Sequence, residues 1–532
     1  MKNLKLKKGL VALTSAALVA AFAVAIPSAA RAADAPTCTT VNEVETCTGT
    51  DDNGSKYEIR MPAKFNGTLF VYTHGYRYNV NLPAIPVVSP TASVVDNSAV
   101  VSPTEEVSAA LLAQGFALSG AGAQRQGFNQ DEGVDAAFQV MQIAKNKYAK
   151  ITKVVSWGNS VGGLTAQALA EQYSGAVDAV APMCISDETQ AVLDKAAGFL
   201  WGFKQFFNPA IKGSDYSPGL IGYREMLTDL QQVLGTILAI KAAITADPSA
   251  PLWPATSTVP ATLKAIPVRS AVLLLGLING IPTQSNTYDA SSGPAGANET
   301  TIGLVISPSL AVLENGADAA ILAVLANYDA EVTYGGVVFD NTTTNYAARL
   351  GDDGVTYRAA LTGQAGITGM LSYLSALNPA APRVKANAAA VAKMNSVYKL
   401  QGKVEAPVIT LSATGDHIAS AGSALYLAQK YAISVDNGIS KSGKLLNIWN
   451  APDAEYTKFD AAGAGVAPTV PTNGVGHCKY STSQVVALAK LAAAAAKTGK
   501  LPSTSAVKAA IKNEPNLFVD PNFAPPLLKF YQ

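Results

Sequence analysis

The chain has 532 residues, 49% of them hydrophobic and 14% charged, with a formal charge of +1. That supplies apolar material for a large buried core and excludes a disordered chain. The near balance of charge gives no support to a nucleic-acid or other polyanion partner.

Residues 1–32 read as an export signal. Lys2, Lys5, Lys7 and Lys8 precede an apolar run from Gly9 to Ile26, Pro27 breaks that run, and Ala30-Arg31-Ala32 supplies a small-x-small cleavage site. A removed leader predicts a secreted protein with no stable membrane insertion after cleavage, and no cysteine stands at the cleavage site for a lipid anchor. Losing the four lysines and Arg31 takes the formal charge from +1 to −4. Four cysteines remain, Cys38, Cys47, Cys184 and Cys478, and an even number in an exported chain predicts two disulfides in one of three pairings. Cys38 and Cys47 are close enough in sequence to close a small hairpin, which leaves Cys184 with Cys478. The spacing of the four fits no zinc site.

The stretches 56–62 and 67–75 read as strands, the second ending in Tyr72-Thr73-His74-Gly75. A third strand is predicted over 116–123, then a helix over 131–148 with acids in its first turn. Residues 151–160 form the next strand, 161–173 a helix and 176–184 a short buried strand. Strands alternating with helices at this spacing predict a mostly parallel sheet with helices on both faces. The alternation stops over 185–404, where apolar helical pieces such as 227–246 and 270–281 are separated by Pro-, Gly- and Thr-rich turns. The second piece is too short to span a bilayer and reads as a buried helix. A strand over 406–416, a helix over 421–432, a strand over 444–449 and an Ala-rich helix over 481–497 resume the first pattern. The division is a signal peptide (1–32), an α/β core (33–184 and 405–532) and a large inserted, mainly helical cap (185–404).

In Gly158-Asn159-Ser160-Val161-Gly162 a serine occupies the turn between a strand and a helix. Glycines two residues before and after it allow a sharp turn, and the helix start supplies backbone N–H groups. The chain holds only three histidines. His74 directly follows a strand and reads as shaping its loop, while His417 reads as a partly exposed loop residue. His477 lies in a glycine-rich loop ahead of a helix and is the best general base. Asp416 is the leading acid, with Asp453 and Asp460 behind it; its competing role is a helix-capping or turn aspartate. No P-loop, dinucleotide fingerprint or H-E-x-x-H is present, so no cofactor and no metal is expected.

Ser160 in this strand-to-helix context, followed by Asp416 and His477, resembles the α/β-hydrolase superfamily over about 33–184 and 405–500. The resemblance implies an α/β-hydrolase fold, Ser160 as nucleophile, His477 as base and Asp416 as its orienting acid. It implies oxyanion donors at the backbone N–H groups of Val161 and Tyr76, with His74, Arg77 and Asn159 as candidate substrate-pocket residues. The His477-Cys478 pair is similar to secreted feruloyl esterases and tannases, in which a disulfide links a cysteine beside the histidine to one beside the serine; Asn159 before Ser160 departs from that pattern. The expected substrate is a small-molecule or polymeric ester. A serine exopeptidase on the same scaffold is the alternative, with Asp187, Glu188, Glu225 and Asp229 available to hold an amino terminus, and a non-catalytic binding protein is the third reading. The sequence does not give an oligomeric state.

Overall fold

In this computed structural model, residues 35–532 are described apart from 87, 248, 290–298 and 462–464. The export signal read over 1–32 lies outside the described residues. β1 (Thr37–Val41), β2 (Val44–Thr50) and β3 (Lys56–Pro62) form an antiparallel ribbon, in which Cys38 lies opposite Cys47. Strand and helix then alternate: β4 (Thr68–Thr73), α1 (Glu105–Leu112), β5 (Ala117–Gly122), α2 (Gln130–Lys147), β6 (Lys153–Asn159), α3 (Val161–Gln172) and β7 (Ala179–Met183). Helices α4 (Thr189–Phe207), α5 (Gly219–Ala246), α6 (Ala261–Lys264), α7 (Val268–Asn279) and α8 (Glu299–Tyr334) follow. The short α9 (Tyr346–Leu350), α10 (Asp353–Thr356), α11 (Gly363–Tyr373) and α12 (Ala388–Met394) complete this stretch. The chain then returns to β8 (Val408–Ala413), α13 (Ala421–Asp436), β9 (Leu445–Asn450), α14 (Thr482–Thr498), α15 (Thr504–Ala510) and β10 (Leu517–Phe518).

The strands form one sheet in the order β1-β2-β3-β5-β4-β6-β7-β8-β9-β10. β5 through β9 are parallel, and the flanking β3 and β10 pair antiparallel to their neighbours. Strands β4, β5, β7 and β8 are buried at every position, the pattern of a parallel sheet covered on both faces. On one face Val140 of α2, Leu164 and Leu169 of α3 and Leu427 of α13 pack together. On the other, Leu111 of α1, Leu488 of α14 and Val507 of α15 do the same. The predicted layering is therefore observed.

Among the described residues between β7 and β8 every regular element is a helix, matching the strandless stretch expected over 185–404. These helices hold a core of their own, with Phe199, Phe203, Leu230, Leu274, Val312 and Val324 buried against one another. α7 is buried along its whole length, as its all-round apolar sequence demands. α5 and Ile306–Tyr334 of α8 are long and apolar enough to cross a membrane, but 72% of the latter's most apolar window is buried inside the protein, as in the central helix of a packed bundle.

Candidate active site

β6 delivers Ser160 to the carboxyl edge of the sheet, and α3 begins at the next residue. Ser160 has φ +59° and ψ −127°, a conformation that turns the chain sharply and leaves the side chain outside the strand. Both flanking glycines are sterically required: a Cβ on Gly158 would lie 2.4 Å from Thr73 Oγ1, and one on Gly162 would lie 2.0 Å from the Thr73 carbonyl oxygen. The turn is fastened at both sides, since the Ser160 N–H donates to the Met183 carbonyl at 3.1 Å and the Ser160 carbonyl accepts from the Ser186 N–H at 3.1 Å.

The structure brings His477 and Asp416 to this serine. His477 Nε2 lies 3.0 Å from Ser160 Oγ, and His477 Nδ1 lies 3.1 Å from each Asp416 carboxylate oxygen. Asp416 does not end its strand as the sequence predicts. β8 stops at Ala413, and the chain turns so that Gly415 N–H donates to the Gly474 carbonyl at 2.8 Å and Gly415 bridges Val475. That bridge sets the acid loop beside the histidine loop. Asp416 has no exposed surface, and its carboxylate also accepts from the N–H groups of Ile418, Ala419 and Cys478 at 2.9, 2.9 and 3.0 Å. Asp416 thus fills both roles weighed for it, turn former and partner of histidine. Burial alone would raise its pKa; the His477 charge and hydrogen bond, His417 and the Cys478 N–H outweigh burial and hold it below the usual carboxylate value. Of the weaker acid candidates, Asp453 accepts from Asn516, and the His477 ring takes neither it nor Asp460 as a partner.

Cys184 and Cys478 are joined, as are Cys38 and Cys47. The first bond ties the residue after His477 to the residue after β7. The carboxylate and cysteine groupings Cys38-Glu45-Cys47 and Cys184-Asp416-Cys478 each contain one of these disulfides, and oxidised sulfurs are not thiolate ligands for a metal.

A cleft of about 850 Å³ opens over Ser160 and His477. Its lining includes Val161 and Tyr76 and all three predicted pocket residues, His74, Arg77 and Asn159. The Val161 N–H is in the first turn of α3, where no preceding carbonyl can take it, and among the described residues no main-chain carbonyl accepts from Tyr76 N–H. His74 Nδ1 lies 2.7 Å from the Gly75 carbonyl, and burial, then the Arg77 charge, pushes the imidazole down to about 4; it is neutral at neutral pH. Arg77 donates to the carbonyls of Asp96 and Ser98, and Asn159 accepts from the Tyr72 hydroxyl. Val192 of α4 and Leu322 of α8 carry the helical stretch into the cleft wall, with Tyr78, Phe128 and Ile418. Sequence reasoning missed these; no motif marks them, because only the packing of the helices decides which apolar side chains reach the cleft. His417 corrects an expectation: it is 4% exposed and not a partly exposed loop residue, and its Nε2 lies 3.2 Å from Asp318 on α8. A second cavity of about 860 Å³ lies among α4, α8 and the 212–218 and 382–387 segments and contains none of the predicted site residues.

The four carboxylates considered for an amino-terminus site do not gather at Ser160. Asp187 accepts from Ser423, Glu188 pairs with Lys430 and Lys399, Glu225 with Lys212, and Asp229 takes the Lys212 and Gly213 N–H groups. None of the four lines the cleft.

No family model and no curated protein matches the chain. Among solved structures it is similar to feruloyl esterase B from Aspergillus oryzae, at 13% identity over 88% of each chain with a TM-score of 0.38. It is similar also to an esterase from Aspergillus oryzae, at 12% identity over 77% of this chain and 73% of that one with a TM-score of 0.35. A rice cell wall degrading esterase, LipA, from Xanthomonas oryzae matches at 12% identity over 77% of this chain and 83% of that one, TM-score 0.30. The assignment of the fold rests on the coordinates themselves. A parallel sheet in which β4 is exchanged past β5, a serine on the tight turn after the central β6, and an acid and a histidine arriving from the loops after β8 and β9 are found together. They give this chain the α/β-hydrolase fold, as its sequence resemblance implies.

Proposed function

We propose that the protein is a secreted serine hydrolase that cleaves carboxylic esters through an acyl-enzyme. The observation that carries this reading is the hydrogen-bonded chain from Ser160 through His477 to Asp416, at 3.0 and 3.1 Å, on the floor of an open cleft. Ser160 Oγ attacks the ester carbonyl as His477 Nε2 takes its proton, and the C–O bond breaks as His477 returns that proton to the leaving alcohol. Water then attacks the acyl-serine by the same route and releases the acid. Asp416 holds Nδ1–H and stabilises the imidazolium. The N–H groups of Val161 and Tyr76 are the proposed donors to the developing oxyanion. Two disulfides and the basic, apolar leader support export.

The exopeptidase reading needs a carboxylate site for an amino terminus. Among the described residues the one carboxylate on the cleft wall, Asp96, lies 3.5 Å from Arg77, which favours the ester reading. A fluorophosphonate probe is expected to label Ser160 in the wild type and not in Ser160→Ala. Turnover of p-nitrophenyl acetate is expected to exceed that of aminoacyl p-nitroanilides. Absence of labelling in the folded, oxidised protein would overturn the catalytic reading, and faster anilide turnover would replace ester with peptide hydrolysis.

A further inference from the structure

The connection that delivers His477 runs over 451–476, and among its described residues there is no helix and no strand, only a bridge pairing Phe459 with Gly465 and one pairing Val475 with Gly415. So long a connection without elements of its own needs outside support to hold one conformation. Part of that support comes from beside β10: the Ala451 N–H donates to the Asn516 carbonyl at 3.0 Å, and Asn473 Nδ2 donates to Asn516 Oδ1 at 3.1 Å. The rest comes from 285–289, between α7 and α8. Asp289 has no exposed surface, and its Oδ2 accepts from the N–H groups of Tyr456 and Thr457 at 2.9 Å each and from the Thr457 hydroxyl at 2.8 Å. A buried carboxylate is tolerated where donors converge on it in this way. The Tyr456 hydroxyl donates to the Ser285 carbonyl at 2.6 Å. On the returning limb, Asn286 Oδ1 accepts from the Thr472 N–H at 3.0 Å, and the Asn286 carbonyl accepts from the Thr472 hydroxyl at 2.9 Å.

The clamp is itself seated on α8. Asn315 Nδ2 donates to the carbonyls of Pro282 and Gln284 at 3.0 and 2.7 Å, the Ser285 hydroxyl donates to Glu314 at 2.9 Å, and the Ser307 hydroxyl donates to the Asp289 carbonyl. The same helix carries Leu322 into the cleft wall. We propose that Asn286 is a positioning residue: by holding Thr472, five residues ahead of His477, it fixes the approach of the chain to the histidine, so that Nε2 stays at Ser160 and Nδ1 at Asp416. The inference rests on the reading of Ser160 and His477 given above. The Gly415 bridge and the Cys184 bond hold residues 475 and 478 to the sheet side, and Thr472 is where the helical stretch takes hold of the segment entering them. One helix therefore both walls the cleft and seats the loop that supplies the base.

The test compares wild type, Asn286→Ala and Asn286→Asp in p-nitrophenyl acetate hydrolysis and in the rate of fluorophosphonate labelling, with thermal melting of each. Asn286 is half-buried, so water can replace the acceptor that Asn286→Ala removes, and the melting temperature is expected to fall by no more than about 3 °C. Both kcat and the labelling rate are expected to fall about tenfold while KM changes less than about twofold, as for a base displaced from its nucleophile. Asn286→Asp keeps an oxygen at the same place and is expected to restore kcat to within about twofold of wild type. An active wild type matched by Asn286→Ala in kcat and labelling rate overturns the role of Asn286 alone. So does a loss shared equally by kcat and KM, or one that Asn286→Asp does not restore. If Asn286→Ala does not fold, Thr472→Val, which keeps the main-chain bond and loses the hydroxyl bond, takes its place, and an unchanged kcat there overturns the inference. A wild type with no turnover and no probe labelling overturns the Ser160 reading, and this inference with it.

Discussion

The positive φ of Ser160 is one of three beside the site: Cys184 has φ +38° and Cys478 φ +53°. Non-glycine residues hold such angles only where neighbours over-determine them. At Ser160 the neighbours are the two flanking glycines and the backbone of residues 73 and 74, against which α3 is seated. Gly162→Ala is therefore expected to cost about 3 kcal/mol or more, because the new methyl meets carbonyl oxygens that cannot move without shifting β4. Gly235→Ala, on α5 with nothing within 4 Å of its added methyl, is expected to gain roughly 0.5–1 kcal/mol. Thermal melting of both proteins reads the contrast; similar melting temperatures would show that the turn has slack. Ser160 was legible in the sequence because a backbone this tight can be built from few residue types, and His477 because only three histidines were available. Asn286 left no such trace. An asparagine in a polar turn reads as a solvated residue, and only the fold sets this one against Thr472.

At the scale of elements, the polar residues of α8 tie it to its own helical stretch through Glu331 and to the loops around the sheet through Asp329. Glu331 accepts the N–H groups of Asp215 and Tyr216 at 2.8 and 2.7 Å, and Asp329 accepts from Asn79 and the Phe128 N–H. Burial pushes Glu331 up to about 7, against those N–H donors, from an ordinary 4.5. A carboxyl whose folded pKa is raised supports the fold fully below its unfolded pKa and loses that support as pH climbs through the folded value. Glu331 therefore makes its full contribution at and below about pH 4.5, and the protein loses about 3 kcal/mol of it by pH 8. Glu331→Gln is expected to show a smaller fall in melting temperature between pH 5 and 8 than wild type, and parallel curves would refute the assignment. The major strands and helices were legible because periodicity and length separate them. Helix α1 was missed although Thr104 caps it and Glu105 and Glu106 open it: eight residues give too little periodicity to stand out from a polar connection. β10 was missed because two residues carry no period at all.

Across the whole molecule, the sheet holds Ser160, Asp416 and His477, while the helices between β7 and β8 complete the cleft through Val192 and Leu322. The Cys184–Cys478 bond encloses that entire helical stretch, its ends 294 positions apart in sequence. In the chain-entropy picture a loop of this length contributes about 5 kcal/mol by restricting the unfolded state. Cys478→Ser is expected to lower the melting temperature and to reduce kcat more than KM, because the segment released is the one that holds His477; equal losses in both would indicate a general loosening instead. The sequence allowed three pairings and favoured this one, because Cys38 and Cys47 are near neighbours that leave Cys184 with Cys478; the close approach of the β7 end to the histidine loop bears it out.

That bond also imposes an order in time. Cys478 follows Cys184 by 294 positions, so the whole helical stretch must be synthesised before Cys184 can meet its partner. The serine turn and the Met183 and Ser186 groups that fasten it are all made earlier, ahead of His477 and of the covalent clasp behind it. The residues of the turn are therefore made well before the histidine that hydrogen-bonds Ser160, and that partner and the bond that clasps its loop arrive side by side.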